Sequence, residues 1–321
     1  MNNFFKKFCK KINEYEYIVI ARHLNSDLDC LGSQFALKEW INLNFKNKKV
    51  YCIGENHQKY INEKKFFPKC DVIENLDKPY LGICVDVSQV SRMDNGDVFA
   101  NAEYKVCIDH HVATDAENYD LVYIDSKQIA CAQIIAKFLL GSKFKKINQT
   151  VCKYLFAGIS GDSGNFYYEA CNDETFSVGA KLIKKGKFNI FNDFHALVGL
   201  DELENVRVRN KIFDKIVYDK NSGVAYYIND INDLKEIGVT AHGANEKIGS
   251  FNRIEEFKII LAAAEYEEGL YRCSIRSKFT SIVEIANKYG GGGHKFACGV
   301  KGLTLEKLKA LISDLKKCQK K

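Results

Sequence analysis

Five short stretches in the first half of the chain are rich in β-branched and apolar residues and do not alternate with polar ones: Tyr17 to Ala21, Val50 to Ile53, Leu81 to Val87, Tyr104 to Ile108 and Leu121 to Ile124. A strand with one wet face alternates; a strand that does not must be covered on both faces. Amphipathic segments interleave with these runs, at Leu31 to Asn44, Ala130 to Leu140, Gln149 to Ile159 and Asp173 to Lys185. Strands and helices in alternation predict an α/β fold, a doubly wound, mainly parallel sheet.

Three of the runs end in acids and imidazoles. After the first come His23, Asp27 and Asp29; in the third, directly after its Leu81 to Val85 stretch, comes Asp86, then Ser88 and Arg92; after the fourth, Asp109, His110 and His111. A fourth cluster, Asp162-Ser163-Gly164, follows a helical segment. In an open parallel sheet the carboxyl ends of the strands line one crevice, so these loops are expected to converge. Four carboxylates held together (Asp27, Asp29, Asp86, Asp162) repel one another and push their own pKa values up. Two divalent cations would cancel the charge, with His23 and His110 as neutral ligands. Carboxylate and imidazole without thiolate suits Mn²⁺, Mg²⁺ or Fe²⁺ better than a structural zinc. Two such ions about 3.5–4 Å apart clamp a phosphoryl transition state. Asp86, central in the strand order, is the candidate bridging carboxylate. Each residue also has an ordinary role: a strand-end aspartate taken alone is a turn residue or helix N-cap, Asp27 included, and His111 taken alone is a satisfied buried histidine.

A chain of 321 residues suits two domains. Between Phe188 and Val217 the pattern is helical, charged and free of strand signals, and reads as a connection. The expected division is 1–188, a catalytic metal-binding domain; 189–217, a helical linker; and 218–321, a smaller α/β domain that holds substrate. Strand-like runs there are Val224 to Ile228, Phe257 to Tyr266 and Leu270 to Ile275, with helices at Ile282 to Lys288 and Thr304 to Lys317. The run Gly290 to Gly293, closed by His294, lets backbone N–H groups approach an anion, although a flexible turn reads the same way. Arg276 and Ser277 add a planar cation and a hydroxyl suited to phosphate, and a surface ion pair is the commoner fate of such an arginine. Tyr271, Phe279 and Tyr289 are candidates to stack on a base.

Taken together, these motifs resemble those of the DHH phosphoesterases. The match runs His23-x-x-x-Asp27-x-Asp29-x-x-Gly32-Ser33, then Asp86, then Asp109-His110-His111, then Asp162-Ser163-Gly164. The stretches Ser274 to Phe279 and Tyr289 to Gly299 resemble the DHH-associated C-terminal domain. The two-domain layout is similar to the nanoRNase branch. The resemblance implies two Mn²⁺ ions held by His23, Asp27, Asp29, Asp86, His110 and Asp162. Asp109 would orient the neighbouring imidazole, and His111 would contact the scissile phosphate or assist the leaving group, giving a catalytic set of Asp86, Asp109 and His111. Substrate would be held by Arg276, Ser277, Gly291, Gly292, Gly293 and His294. Two positions depart from the family pattern. Ser26 stands where proline is usual, and Ala130-Cys131-Ala132 stands where a Ser-rich stretch opens a helix.

The implied activity is degradation of short RNA to mononucleotides and removal of the 3′-phosphate from 3′-phosphoadenosine 5′-phosphate. Expected partners are short single-stranded RNA, dinucleotides and nucleoside 3′,5′-bisphosphates, with a homodimer left open. A clamp between the domains would favour short substrates over long ones. The nearest rival is hydrolysis of linear or cyclic di-adenosine dinucleotides; polyphosphate hydrolysis and long-strand DNA cleavage fit the second domain less well. A non-catalytic nucleotide-binding module is the rival from another class, and the intact set of six ligands argues against it. The net charge of +6 is mild. Twelve cysteines without a Cys-x-x-Cys pair, mostly inside apolar runs, read as reduced core thiols. There is no signal-peptide pattern at the N-terminus and no apolar run near the roughly 20 residues that span a bilayer. A cytoplasmic enzyme without a membrane partner is therefore expected.

Overall fold

The five apolar runs form one all-parallel sheet in the computed structural model, which describes the chain except for residues 1, 57–58, 63–65, 74–75, 112–115, 143–145, 169 and 319–321. The strands are β1 (Tyr17–Ala21), β2 (Lys49–Cys52), β3 (Tyr80–Val85), β4 (Tyr104–Asp109) and β5 (Leu121–Ile124), in the order β2-β1-β3-β4-β5. Both faces are covered. Ile18 and Ile20 of β1 face one core, and Val19 and Ala21 face another. The first core is closed by α1 (Asn2–Glu14), α2 (Leu28–Asn44), α5 (Cys131–Gly141), α6 (Gln149–Asp162) and α7 (Asp173–Gly186). The opposite face carries α4 (Gly96–Ala100), and two short helices, α3 (Lys59–Asn62) and α8 (Ile190–Phe194), complete the unit. Helix α1 is not among the helices expected from the sequence. Phe4, Phe8 and Ile12, four residues apart, bury one stripe, with Phe4 packed on Tyr123 and Phe138 at ring distances of 5.3 and 5.5 Å.

Helices α2 and α5 approach α6 so closely that two positions require glycine. A Cβ on Gly32 would lie 2.5 Å from the Tyr154 carbonyl oxygen, and one on Gly158 would lie 2.6 Å from the Ala132 methyl. That approach brings the start of α2 beside the end of α6.

The chain divides into two units, Met1–Leu200 and Asp201–Lys321. The second has α9 (Leu203–Phe213), β6 (Val217–Asp219), β7 (Val224–Asn229), α10 (Ile231–Ile237), α11 (Ala241–Glu246), α12 (Ile248–Phe251), β8 (Ile259–Glu267), β9 (Leu270–Ser277), α13 (Val283–Lys288), β10 (Gly292–His294), β11 (Ala297–Leu303) and α14 (Leu305–Cys318). Its sheet runs β10-β11-β9-β8-β7-β6, with only β7 and β8 parallel. One face is covered by α13 and α14, the other by α9 to α12. The helix read as part of a connection, α9, sinks Val208 and Ile212 into this second core. None of the twelve cysteines is in a disulfide, and nine of them are buried. Among the described residues no helix is long and apolar enough to cross a membrane.

Candidate metal centre

The strand order reverses between β1 and β3, and a crevice opens at such a switch point beyond the carboxyl ends of the strands. Strand β1 delivers His23 to it and β3 delivers Asp86. Strand β3 stops at Val85, shorter than its apolar run, because Asp86 adopts a left-handed conformation with φ of 60°. That conformation is sparsely used by non-glycine residues, and aspartate tolerates it better than most. The Asp86 amide donates to the Ile108 carbonyl at 3.0 Å, and its carboxylate is turned between two imidazoles. His23 Nε2 is 3.3 Å from Asp86 Oδ2, and His110 Nε2 is 3.2 Å from Asp86 Oδ1.

The other carboxylates come from helix ends. Asp27 is the N-cap of α2, its Oδ1 accepting from the Asp29 and Cys30 amides at 2.9 and 3.0 Å. Its Oδ2 remains 3.6 Å from His23 Nε2, so the capping role leaves one oxygen facing the crevice. Asp29 lies in the first turn of α2, fully buried. Its two oxygens accept from the Cys131 and Ala132 amides at 2.6 and 2.8 Å, at the start of α5. Those amides and the dipole of α5 hold the carboxylate in place. Asp162 closes α6, with Oδ2 at 3.3 Å from His110 Nε2, and Asp29 Oδ2 is 3.9 Å from the same nitrogen. His23, Asp27, Asp29, Asp86, His110 and Asp162 thus share one crevice.

Hydrogen bonds fix which imidazole nitrogen faces inward. His23 Nδ1 lies 2.7 Å from the Leu24 carbonyl, and His110 Nδ1 lies 3.2 Å from the Gln128 carbonyl. A carbonyl only accepts, so each Nδ1 carries the proton and each Nε2 turns its lone pair to the crevice. Buried atoms Asp86 Oδ1 and His110 Nε2 have no hydrogen-bond partner. Acceptor facing acceptor in a buried place is costly unless a cation sits between them. The donor set therefore fits divalent cations. Without one, protons take that role. Burial disfavours the charge on His110, yet Asp86, Asp29 and Asp162 outweigh it and hold the imidazolium up to about 10. Burial likewise opposes charge on His23, and the carboxylates of Asp27 and Asp86 push its pKa up. Asp29 and Asp162 are raised well above the carboxylate range, by burial first and by their neighbouring carboxylates next.

Asp109 and His111 stand beside this set. Asp109 is buried, and its Oδ1 accepts from the His110 and His111 amides at 2.7 and 3.1 Å and from His111 Nδ1 at 2.8 Å. Burial would raise the Asp109 pKa, but His111 keeps it below the usual value. With Nδ1 committed to Asp109, the half-exposed His111 presents Nε2 outward. The thiol of Cys30 lies within 4.8 Å of ligand atoms of His23, Asp27 and Asp86, a neighbour that the sequence reading left out. Burial pushes that thiol up to about 12, so it stays protonated and the working donors are oxygen and nitrogen.

Behind His23 lies a second feature not foreseen from the sequence. Arg22 is fully buried, with Nη1 at 2.9 Å from Asp94 Oδ2 and Nη2 at 2.8 Å from the Glu55 carbonyl. Asp94 Oδ2 also accepts from the Glu55 amide at 2.8 Å. The Leu24 amide donates to the Arg92 carbonyl and the Asp94 amide to the Arg22 carbonyl, so the two loops are laced on either side of His23. A charged residue placed directly after a buried strand was the available signal.

After Asp162 the chain makes an unusual turn. Gly164, Asn165 and Phe166 have φ of 57, 59 and 65° in succession. Left-handed backbone costs roughly 1–2 kcal/mol for a residue with a Cβ, so this turn persists only because its surroundings over-determine it. The buried Ser163 supplies much of that. Its carbonyl accepts from the Tyr167 and Tyr168 amides, both at 2.9 Å, and its hydroxyl accepts from the Phe166 amide at 2.9 Å.

In the second unit, Arg276 lies on β9, half-buried, with Nη1 donating to the Ile275 carbonyl at 3.0 Å. Ser277 is buried and its hydroxyl accepts from the Thr280 amide. The glycine run is not an open loop, because Gly292–His294 pairs with β11 as an edge strand. Gly291 and Gly293 are required there: a Cβ would lie 2.3 Å from the Gly299 carbonyl oxygen and 2.4 Å from the Ala297 carbonyl oxygen, respectively. His294, Ala297 and Arg276 share one row across β10, β11 and β9, and the side chain of His294 lies outside what is described. Of the three aromatic candidates, Tyr271 is in the core and Tyr289 donates its hydroxyl to Asp314 at 3.0 Å, whereas Phe279 is 80 % exposed.

A crevice of carboxylates and inward-facing imidazoles at the switch point of a parallel sheet, joined to a separate mixed sheet, marks a hydrolytic phosphoesterase of the metal-dependent kind. Family comparisons agree. Residues 17–159 match the DHH family N-terminal domain and residues 221–321 match the DHHA1 domain. The chain is 33% identical to a Streptococcus mutans protein described as a probable bifunctional oligoribonuclease and PAP phosphatase NrnA, over 97% of this chain and 98% of that one. It is 29% identical to a Mycoplasma pneumoniae protein described as bifunctional oligoribonuclease and PAP phosphatase NrnA, over 96% of this chain and 94% of that one. Among solved structures, an exopolyphosphatase-related protein from Bacteroides fragilis shares the fold with a TM-score of 0.82 at 16% identity, covering 100% of this chain and 98% of that one. The chain belongs to the DHH family.

Proposed function

We propose that this chain is a manganese-dependent phosphoesterase that degrades short oligoribonucleotides to mononucleotides and removes the 3′-phosphate from 3′-phosphoadenosine 5′-phosphate. The substrates follow from the names of relatives aligned over nearly the full length. The observation that carries the chemistry is the facing pair of unpartnered buried atoms, Asp86 Oδ1 and His110 Nε2. His23, Asp27 and Asp86 would hold one Mn²⁺ ion; Asp29, Asp86, His110 and Asp162 would hold the second, with Asp86 common to both. When bound, the pair supplies Lewis acidity, lowering the pKa of the attacking water and screening the phosphate's charge.

The protein's own residues do the rest. Nδ1–H of His23 and of His110 is tied to a backbone carbonyl, so neither ligand needs to change tautomer during turnover. Asp109 holds His111 in one orientation, leaving Nε2 of His111 to contact the phosphate and to hold the proton that the leaving oxygen takes up. The amides of Cys131 and Ala132 hold the Asp29 carboxylate in one place. Arg276, Ser277, Gly291, Gly292, Gly293 and His294 form the proposed phosphate-holding surface of the second domain.

The test is a kinetic panel of a 5′-phosphorylated dinucleotide, a 24-nucleotide RNA and 3′-phosphoadenosine 5′-phosphate, with Mn²⁺ and with chelator. The wild-type protein is expected to cleave the dinucleotide and the bisphosphate and to lose both activities with chelator. Asp86→Asn, which tolerates the left-handed backbone, should lower turnover by more than about 100-fold while the fold survives. Near-normal turnover by Asp86→Asn, or turnover unaffected by chelator, would defeat the proposal.

A further inference from the structure

The left-handed turn beyond Asp162 is more than a connection. A chain seldom spends three successive left-handed residues, one of them a phenylalanine, where a shorter exit from a helix would serve. Phe166 is anchored inward, its ring 5.4 Å from Phe156 and 5.5 Å from Phe176. Asn165 is tied back to the helix: its amide donates to the Ser160 carbonyl at 2.8 Å and its Oδ1 accepts from the Ser160 hydroxyl at 2.6 Å. The turn presents Tyr167, 78 % exposed, and Tyr168, 55 % exposed, and of these two it is Tyr168 whose ring is backed by the turn's own main chain. Its amide is bound to Ser163 and its carbonyl accepts from the Cys171 amide at 2.9 Å, so the backbone on both sides is fixed.

The ring of Tyr168 lies against Gly164. A Cβ there would come within 2.5 Å of two ring carbons, so only glycine lets the aromatic face settle on the backbone. The phenol hydroxyl has no hydrogen-bond partner among the described residues. A tyrosine kept for the core would be buried, and one kept for its hydroxyl would be bonded. Here a large aromatic surface is left open to solvent and backed by the main chain at Gly164, two residues beyond the metal-site residue Asp162. Aromatic surface of that kind suits the π-face of a nucleobase, and stacking tolerates any base.

We propose that Tyr168 is a base-stacking residue of the catalytic domain, taking the base of the nucleotide whose phosphate is cut. It rests on the nucleotide reading given above and adds a specificity residue to it. The class of ligand is a nucleotide with an intact base, and a phosphodiester without bases loses the contact.

The experiment compares a 5′-phosphorylated diadenosine dinucleotide with the same diester carrying abasic riboses, in the full chain with Mn²⁺. Tyr168→Ala should raise KM for the dinucleotide between about fivefold and 100-fold, the span that stacking of one base covers, with a much smaller change in kcat. Its preference for the dinucleotide over the abasic diester, as a ratio of kcat/KM, should fall at least fivefold, and Tyr168→Phe should retain that preference. Tyr168→Trp gives a readout that does not need turnover: with chelator present, the dinucleotide should quench the new indole fluorescence saturably and the abasic diester should not. If the wild-type protein leaves the dinucleotide intact, the nucleotide reading falls and the stacking role with it. If the wild-type protein cleaves it while Tyr168→Ala keeps the full preference, or if Tyr168→Trp shows no quenching, the stacking role alone is overturned. Loss of folding by Tyr168→Ala, seen by circular dichroism, passes the decision to the other two variants.

Discussion

The guanidinium of Arg22 meets the carboxylate of Asp94 at 2.9 Å, and both side chains are buried directly behind His23. Removing one partner of such a pair strands a charge away from water. Asp94→Ala is expected to destabilise the protein by about 3–5 kcal/mol, because Arg22 keeps its charge and loses its counter-ion. Urea denaturation measures this directly. Since the same pair laces the loops that flank His23, the variant should also bind Mn²⁺ more weakly in calorimetric titration. A loss of stability under about 1 kcal/mol would show that Arg22 finds compensation elsewhere.

Protons and metal ions compete for the same crevice, which sets the sign of a pH effect. His110 has its pKa raised from 6.5 to about 10 in the folded chain, and His23 is raised as well. A histidine raised on folding contributes stability that is complete below its unfolded value and disappears as pH climbs through its folded value. Asp29 and Asp162 are also raised, so the folded chain again holds protons that the unfolded chain has released above about 4. All four contributions have one sign. The melting temperature of the metal-free protein should fall steadily from pH 6.5 toward pH 10. Adding Mn²⁺ should reverse the fall and release protons, measurable in a weakly buffered titration. A metal-free protein that grew more stable over that interval would contradict the electrostatics of the crevice.

The close crossing of α2 and α6 predicts an unusual sensitivity at a residue without a side chain. Gly158→Ala would place its methyl 2.6 Å from the Ala132 side chain and 3.0 Å from Asp29 Oδ1. The helices must part to admit it. The expected cost is about 1–3 kcal/mol by chemical denaturation, with turnover falling further than that destabilisation alone would cause, because Asp29 moves with α2. Unaltered kinetics in a fully folded Gly158→Ala protein would separate the crossing from the site.

Much of this was legible beforehand because burial on two faces leaves a strong imprint on composition. The runs at β1, β3, β4 and β5 could be placed to within a residue or two, and the acids beyond them followed. What was hidden has physical reasons. The end of β3 depends on a backbone angle at Asp86 that its side chain merely permits. The amides of Cys131 and Ala132 that hold Asp29 carry no side-chain signature, so a stretch read as a departure from family pattern proved to contain contacts of the centre itself. The glycine run at 290–293 reads in the sequence either as backbone open to an anion or as a flexible turn, and neither reading conveys that residues 292–294 form an edge strand whose neighbours leave no room for a Cβ at 291 and 293. Tyr271 and Phe279 look alike in a sequence, and only packing separates the core ring from the exposed one.

The left-handed backbone at Asp86 has a consequence for how such a chain decays. A descendant that no longer needs catalysis is free to discard acids, but not equally at every site. At 162, the end of an ordinary helix, almost any residue is acceptable to the fold. At 86 the main chain itself vetoes bulky and branched replacements, so drift there should run to asparagine or glycine. Either of those two letters at 86, in an otherwise intact homologue, would identify a retired enzyme that still folds.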